Sequence, residues 1–242
     1  MKKLLLLFLF TFSLLDARVV FLHIPKTGGM TLLHLLRQNY PESSVYPALN
    51  LGGPPGGLHE ATSVRRMEEA FTRYPDMNHE LVMGHFPIWF HKEKNLNFDQ
   101  SFVFTILRDP IKRVLSQDRY HIAVRSWTGM TGKSNPEAIP RNCMCLMLAS
   151  DPTLKGEALL RNAIANLEKI DKIIFMDDFD NGVQELFDQM GLELPLDIPV
   201  TNSSQTEDLH KRQRINKLLL RKLEALNSLD VQLYEYAITH LR

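Results

Sequence analysis

Two hydrophobic rhythms alternate along the chain. Val19–Ile24 is a continuous apolar, β-branched run closed by Pro25, which predicts a strand buried on both faces. Leu81–Gly84, Phe102–Leu107 and Lys172–Met176 read the same way. Between these runs the apolar positions fall at helical spacing. Thr31–Gln38 carries Leu32, Leu33, Leu35 and Leu36, and Thr62–Arg73 turns Arg65, Arg66, Glu68 and Glu69 outward. Pro110–His121 follows Asp109 as a cap, with proline at its first position. Leu154–Ile170 is helical, Phe179–Met190 is a helix stopped by Gly191, and two helices, about Glu207–Leu226 and Ser228–Leu241, close the chain. Residues 41–58 read as loop, broken hardest at Pro54-Pro55-Gly56-Gly57. The stretch 126–141, rich in Gly, Ser, Asn and Pro, reads as a flexible loop or lid, and Pro195–Ser204 as extended loop. Strands alternating with helices predict an α/β fold: a P-loop-like parallel sheet flanked by helices on both faces, with a helical C-terminus. No linker divides residues 18–242, which are expected to form one domain.

Composition narrows the function classes. Among 242 residues, 44% are hydrophobic and 23% charged, which suits a folded chain rather than a disordered one. Lys plus Arg and Asp plus Glu each number 28, so the net charge of zero speaks against a general nucleic-acid binder. It leaves room for a local cationic pocket. The two cysteines, Cys143 and Cys145, make no disulfide framework or zinc pattern and are expected as free thiols near the core. Nine histidines show no H-E-x-x-H motif or Cys/His cluster, so no metal is expected.

The N-terminus stands apart. Met1-Lys2-Lys3 precedes the apolar run Leu4–Leu15, and Leu15-Asp16-Ala17 is an imperfect cleavage site. Twelve residues of helix span about 18 Å, short of the roughly 30 Å of a bilayer core. Residues 1–17 therefore read as a signal-like segment or a membrane anchor, placing the protein in the membrane-associated or exported class. A cytoplasmic N-terminal extension is the alternative.

Two segments carry chemistry. Pro25-Lys26-Thr27-Gly28-Gly29-Met30-Thr31 lies between a strand and a helix start. Paired glycines let backbone approach a ligand, and free N–H groups with the helix dipole favour an anion, usually phosphate. Lys26 adds a point charge and Thr31 a hydroxyl. The spacing is not that of a Walker loop, because the lysine precedes the glycines. The second segment is Arg108-Asp109-Pro110-Ile111-Lys112-Arg113-Val114-Leu115-Ser116. Arg108 follows a strand at the carboxyl edge of the sheet, where open α/β sheets bind ligands. Arg113, Ser116 and Tyr120 recur on one helix face, and an arginine fork with a hydroxyl suits a second phosphate.

Together these segments resemble the sulfotransferase superfamily, in particular the branch containing the heparan and chondroitin 2-O- and 6-O-sulfotransferases and their bacterial relatives. Phe21–Thr31 is similar to that branch's 5′-phosphosulfate loop, and Thr105–Pro110 with Arg113 and Ser116 to its 3′-phosphate motif. Met30 departs from the Thr or Ser often found there. The resemblance implies the donor 3′-phosphoadenosine 5′-phosphosulfate (PAPS), with no metal. Lys26 would neutralise the bridging oxygen as the sulfuryl group leaves. Amides at Thr27, Gly28, Gly29, Met30 and Thr31 would hold the 5′-phosphate, and Arg108 and Ser116 the 3′-phosphate. The partner would be an acceptor hydroxyl on a carbohydrate.

Such a hydroxyl needs a base. His85 stands at the predicted end of a strand beside Gly84, and relatives in the branch carry a similar Gly-His. His59, in Gly57-Leu58-His59-Glu60, is the rival, resembling a Gly-Leu-His of the 6-O-type enzymes. His23 is expected as a core residue inside a strand, and His34, His79, His91, His121, His210 and His240 as surface or packing residues. Asn142 and Thr201-Asn202-Ser203-Ser204 are weaker candidates that serve equally as turn or cap chemistry. Lys211, Arg212, Arg214, Lys217, Arg221 and Lys222 read as a solvated basic face or an anionic-glycan strip. A small-molecule kinase and a non-catalytic nucleotide- or glycan-binding protein remain as alternatives.

Overall fold

The computed structural model describes residues 18–46, 79–94, 98–127, 135–195 and 216–242. Five parallel strands form one sheet in the order β2-β3-β1-β4-β5: β1 (Val19–Leu22), β2 (Val45–Tyr46), β3 (Leu81–Gly84), β4 (Phe102–Leu107) and β5 (Lys172–Phe175). β1 lies at the centre, paired with β3 and β4; the chain goes first to the edge at β2, returns to fill in β3, and then extends the other side with β4 and β5. The helices are α1 (Gly29–Leu36), α2 (Ile88–Glu93), α3 (Pro110–Trp127), α4 (Cys143–Leu148), α5 (Gly156–Leu167), α6 (Phe179–Met190), α7 (Lys217–Leu226) and α8 (Ser228–His240).

Strand alternation sorts side chains into two cores. Val20, Leu22, Val82 and Val103 meet residues of α2, α4, α5 and α8 on one face. Val19, Phe21, Leu81, Met83, Phe104 and Ile106 meet α1 and α6 on the other. The α/β class, the parallel sheet covered on both faces and the helical C-terminus are as expected. So is the helix Phe179–Met190, whose C-cap Gly191 takes the left-handed φ of 65°.

Several boundaries differ. The helix after Asp109 runs on to Trp127, past the expected His121. Leu154–Ile170 shrinks to Gly156–Leu167, and Lys172–Met176 ends as strand at Phe175. Residues 41–58, read as loop, hold a 3-10 turn at Glu42–Ser44 and the two-residue edge strand β2. Helices α2 and α4 lie in segments to which no helix was assigned; α4 is built of Cys143, Met144, Cys145, Leu146, Met147 and Leu148, nearly all buried. The helix at Thr62–Arg73, the first half of Glu207–Leu226 and residues 1–17 lie outside the described residues. Among the described residues, no helix is long and apolar enough to cross a membrane.

Candidate functional site

Register brings the ends of β1 and β3 level, while β4 runs on to Leu107. Leu22 of β1 pairs with Gly84 of β3 and Thr105 of β4. The Thr105 hydroxyl donates to the Leu22 carbonyl at 2.8 Å, fastening the two central strands just below their carboxyl ends. The segments that leave those ends are the anion-loop candidate from β1, the His85 segment from β3 and the Arg108 segment from β4.

The β1 loop turns sharply. Thr27 is buried and its hydroxyl donates back to the Ile24 carbonyl at 2.8 Å, so this hydroxyl braces the turn. Lys26 takes φ 70°, a left-handed conformation that costs a non-glycine residue about 1–3 kcal/mol. Gly28, at φ 86°, caps α1. A Cβ on Gly28 would also lie 2.8 Å from the Met176 sulfur, and one on Gly29 would lie 2.1 Å from Nε2 of His23. The two glycines thus answer different demands, one of backbone sign and one of space. The amides of Thr31 and Leu32 both close onto the Gly28 carbonyl. Those of Gly29 and Met30 precede the first closed turn, and with the dipole of α1 they form the anion-seeking end of the helix. Thr31 is buried, and its amide donates to the Gly28 carbonyl at 3.0 Å. Met30 packs its side chain against the α1–α6 core.

Arg108 comes to this loop directly. Its Nη1 donates to the Lys26 carbonyl at 3.0 Å, across 82 residues of sequence. Asp109 caps α3 by accepting from the Lys112 amide at 2.7 Å, as expected. One face of α3 meets the loop: the Lys26 ammonium sits 4.3 Å from the centre of the Tyr120 ring. Arg119 is the residue the sequence reading missed. Burial first, then the charges of Arg108 and Arg119, lower the Lys26 ammonium to about 8. Burial and the neighbouring Arg119 also lower Arg108, with Asp109 opposing. Lys26 and Arg108 are joined directly, and the charge of Arg119 acts on both, so the local field favours an anion. The missed signal was spacing: Arg119 lies three positions after Ser116, on the face already singled out.

Ser116 is half-buried on α3, and no hydrogen bond ties it to Arg108 or Lys26. Arg113 departs from the expected ligand face. It is fully buried, donating to the Gln117 side chain at 2.8 Å and to the Pro140 carbonyl at 3.4 Å, and it braces α3 against the segment before α4.

His85 follows β3 directly and is buried. Its Nδ1–H donates to the His23 carbonyl at 2.6 Å. A carbonyl only accepts, so in the neutral ring the proton is on Nδ1 and the lone pair on Nε2, the tautomer suited to taking a proton from an acceptor. His23 stands just past β1 rather than inside it, and its ring centre is 4.3 Å from that of His85. His91 is a packing residue, as expected, held down to about 4 by burial first and by Arg18 second. Asn142 takes the cap role. Its side-chain oxygen accepts from Leu229 and Asp230 amides, while its own amide donates to Asn227. Cys143 and Cys145 are free, buried thiols. Lys217, Arg221 and Lys222 are exposed on α7, with Lys222 paired to Glu137 at 2.6 Å. His59, Thr201–Ser204, His210, Lys211, Arg212 and Arg214 lie outside the described residues.

No family model matches the chain, and no curated protein matches it. Among solved structures, a sulfotransferase from Alicyclobacillus acidocaldarius is 12% identical, with 93% of this chain and 96% of that one covered and a TM-score of 0.48. Mouse sulfotransferase SULT7A1, solved in complex with PAP, is 14% identical, with 91% and 89% covered and a TM-score of 0.45. At identities and TM-scores this low, these likenesses carry no argument about the chemistry of this chain.

Proposed function

We propose that the protein is a sulfotransferase moving a sulfuryl group from PAPS to an acceptor hydroxyl, on a carbohydrate, in the manner of the 2-O- and 6-O-sulfotransferase branch its motifs resemble. The observation that carries the reading is the Arg108–Lys26 bond, which makes one cationic cleft of two motifs far apart in sequence. The residues present suit a nucleotide charged at both ends of its ribose. The Gly29 and Met30 amides receive the 5′-phosphate, while Arg108 and Arg119 face the 3′-phosphate. Ser116 adds a hydroxyl on the same helix. Lys26 balances the charge that develops on the bridging oxygen as the sulfuryl bond breaks. Its depressed ammonium makes proton donation easier there than for an ordinary lysine. His85 accepts the hydroxyl proton at Nε2, with Nδ1 held by the His23 carbonyl. Positioning and electrostatics contribute most to such a transfer, as they do in phosphoryl transfer.

Calorimetry with the desulfated nucleotide 3′,5′-bisphosphoadenosine (PAP) tests the donor site. Binding that is lost in Arg108→Ala, joined by transfer of labelled sulfate to a carbohydrate from a panel of glycans, alcohols, phenols and tyrosine peptides, supports the reading. Binding without transfer to any acceptor gives a non-catalytic nucleotide binder. Absent PAP affinity, with Mg²⁺-dependent phosphorylation of a sugar by ATP, gives a kinase.

A further inference from the structure

His23 is buried at the point where the two halves of the site meet. Its backbone is pinned to the end of β3 on both sides. Its amide donates to the Gly84 carbonyl at 3.2 Å, and its carbonyl receives the His85 Nδ1 proton. Its ring is equally confined. Phe21 stacks on it at 5.1 Å between centres, with 17° between planes, and His85 lies at 4.3 Å, tilted by 36°. The remaining edge lies over the α-carbon of Gly29, filling the space a side chain there would need. One imidazole therefore separates the first residue of the anion-binding helix from the candidate base.

We propose that His23 is a positioning residue for His85. Its ring is the wall that keeps the His85 imidazole turned with Nδ1 toward the His23 carbonyl and Nε2 away from it. Gly29 is glycine so that this wall can stand between the helix start and the base. The substrate-facing role of His85 rests on the proposed transfer reaction; the wall itself does not.

The decisive experiment compares wild type with His23→Ala. Nitrogen-15 NMR of the histidine side chains in the full chain, without nucleotide, reads the His85 tautomer. The wild type is expected to show a single Nδ1–H form, and His23→Ala a mixture. In transfer assays His23→Ala should lose kcat at least about tenfold, the low end of the range for a displaced general base being higher still, while PAP affinity stays within about threefold. His23→Leu, which keeps the volume without an aromatic face, serves in the same comparison if the alanine variant does not fold. A single Nδ1–H tautomer retained in the variant overturns the proposal, as does an unchanged kcat. A parallel fall of PAP affinity and kcat also overturns it, because the ring would then serve the anion loop instead. If the wild type binds no PAP, the transferase reading fails, and the tautomer comparison still decides the role of His23.

Discussion

Lys26 and Asn142 are the two described non-glycine residues with positive φ, and both sit among buried polar groups at a helix start. Their surroundings are opposite. Asn142 is at a corner where side-chain oxygens meet backbone amides. Its side chain accepts from Leu229 and Asp230, and the Asp230 carboxylate accepts from the Met144 and Cys145 amides at the start of α4. Around Lys26 the neighbours are like charges, Arg108 and Arg119, with the face of Tyr120 beside the ammonium. Strain and burial are common to both corners, so neither marks function. Convergence of one sign of charge near a helix N-terminus is what sets the Lys26 corner apart.

Breaking the C-terminal corner should have the largest effect on stability. Asp230→Ala leaves two buried amides without their acceptor and removes a buried carboxyl on which the charge of Arg113 acts. A loss of about 3–5 kcal/mol is expected in denaturant unfolding, with PAP affinity unchanged under conditions where the variant is folded. Lys26→Ala should do the reverse. PAP affinity is expected to fall by about a hundredfold in calorimetry, in the range of a lost charge-assisted contact, while stability holds or rises as like-charge repulsion is relieved.

The same contrast has a pH signature. Lys26 is at about 8 in the folded chain, below its usual 10.5, so between those values the unfolded chain binds the extra proton. Stability contributed at this residue therefore rises as pH climbs through that window. PAP affinity should move oppositely, weakening as the ammonium loses its charge above about pH 8. Lys26→Arg, which stays charged, should flatten both trends; melts and calorimetry from pH 7 to 10 check them. The smallest effect belongs to an exposed pair. Lys222→Ala removes the bridge to Glu137 and is expected to change stability by less than about 1 kcal/mol, with PAP affinity unmoved.

What was readable in the sequence follows from where each signal is stored. The strands β1, β3 and β4 are continuous apolar runs because both faces are buried, and the Asp109 and Gly191 caps are local chemistry. The loop from Lys26 to Met30 announces itself through its glycines, and the Arg108 segment through its place after a strand. α4 was hidden because its cap comes from Asp230, which is more than eighty residues away in sequence. β2 has two residues, too few for any period. Arg113 and Arg119 are indistinguishable as letters on a basic helix. Only the packing of α3 sends the first inward to Gln117 and Pro140 and leaves the charge of the second acting on Lys26.

The Arg108–Lys26 clasp also bears on how such a chain can diversify. Because one hydrogen bond joins the turns after β1 and β4, their separation in space is indifferent to the length of chain connecting them. Doubling a connecting segment adds only about 0.6 kcal/mol of closure entropy. In the proposed reaction, a change of length in a segment joining β1 to β4 would therefore leave the two proposed donor contacts side by side.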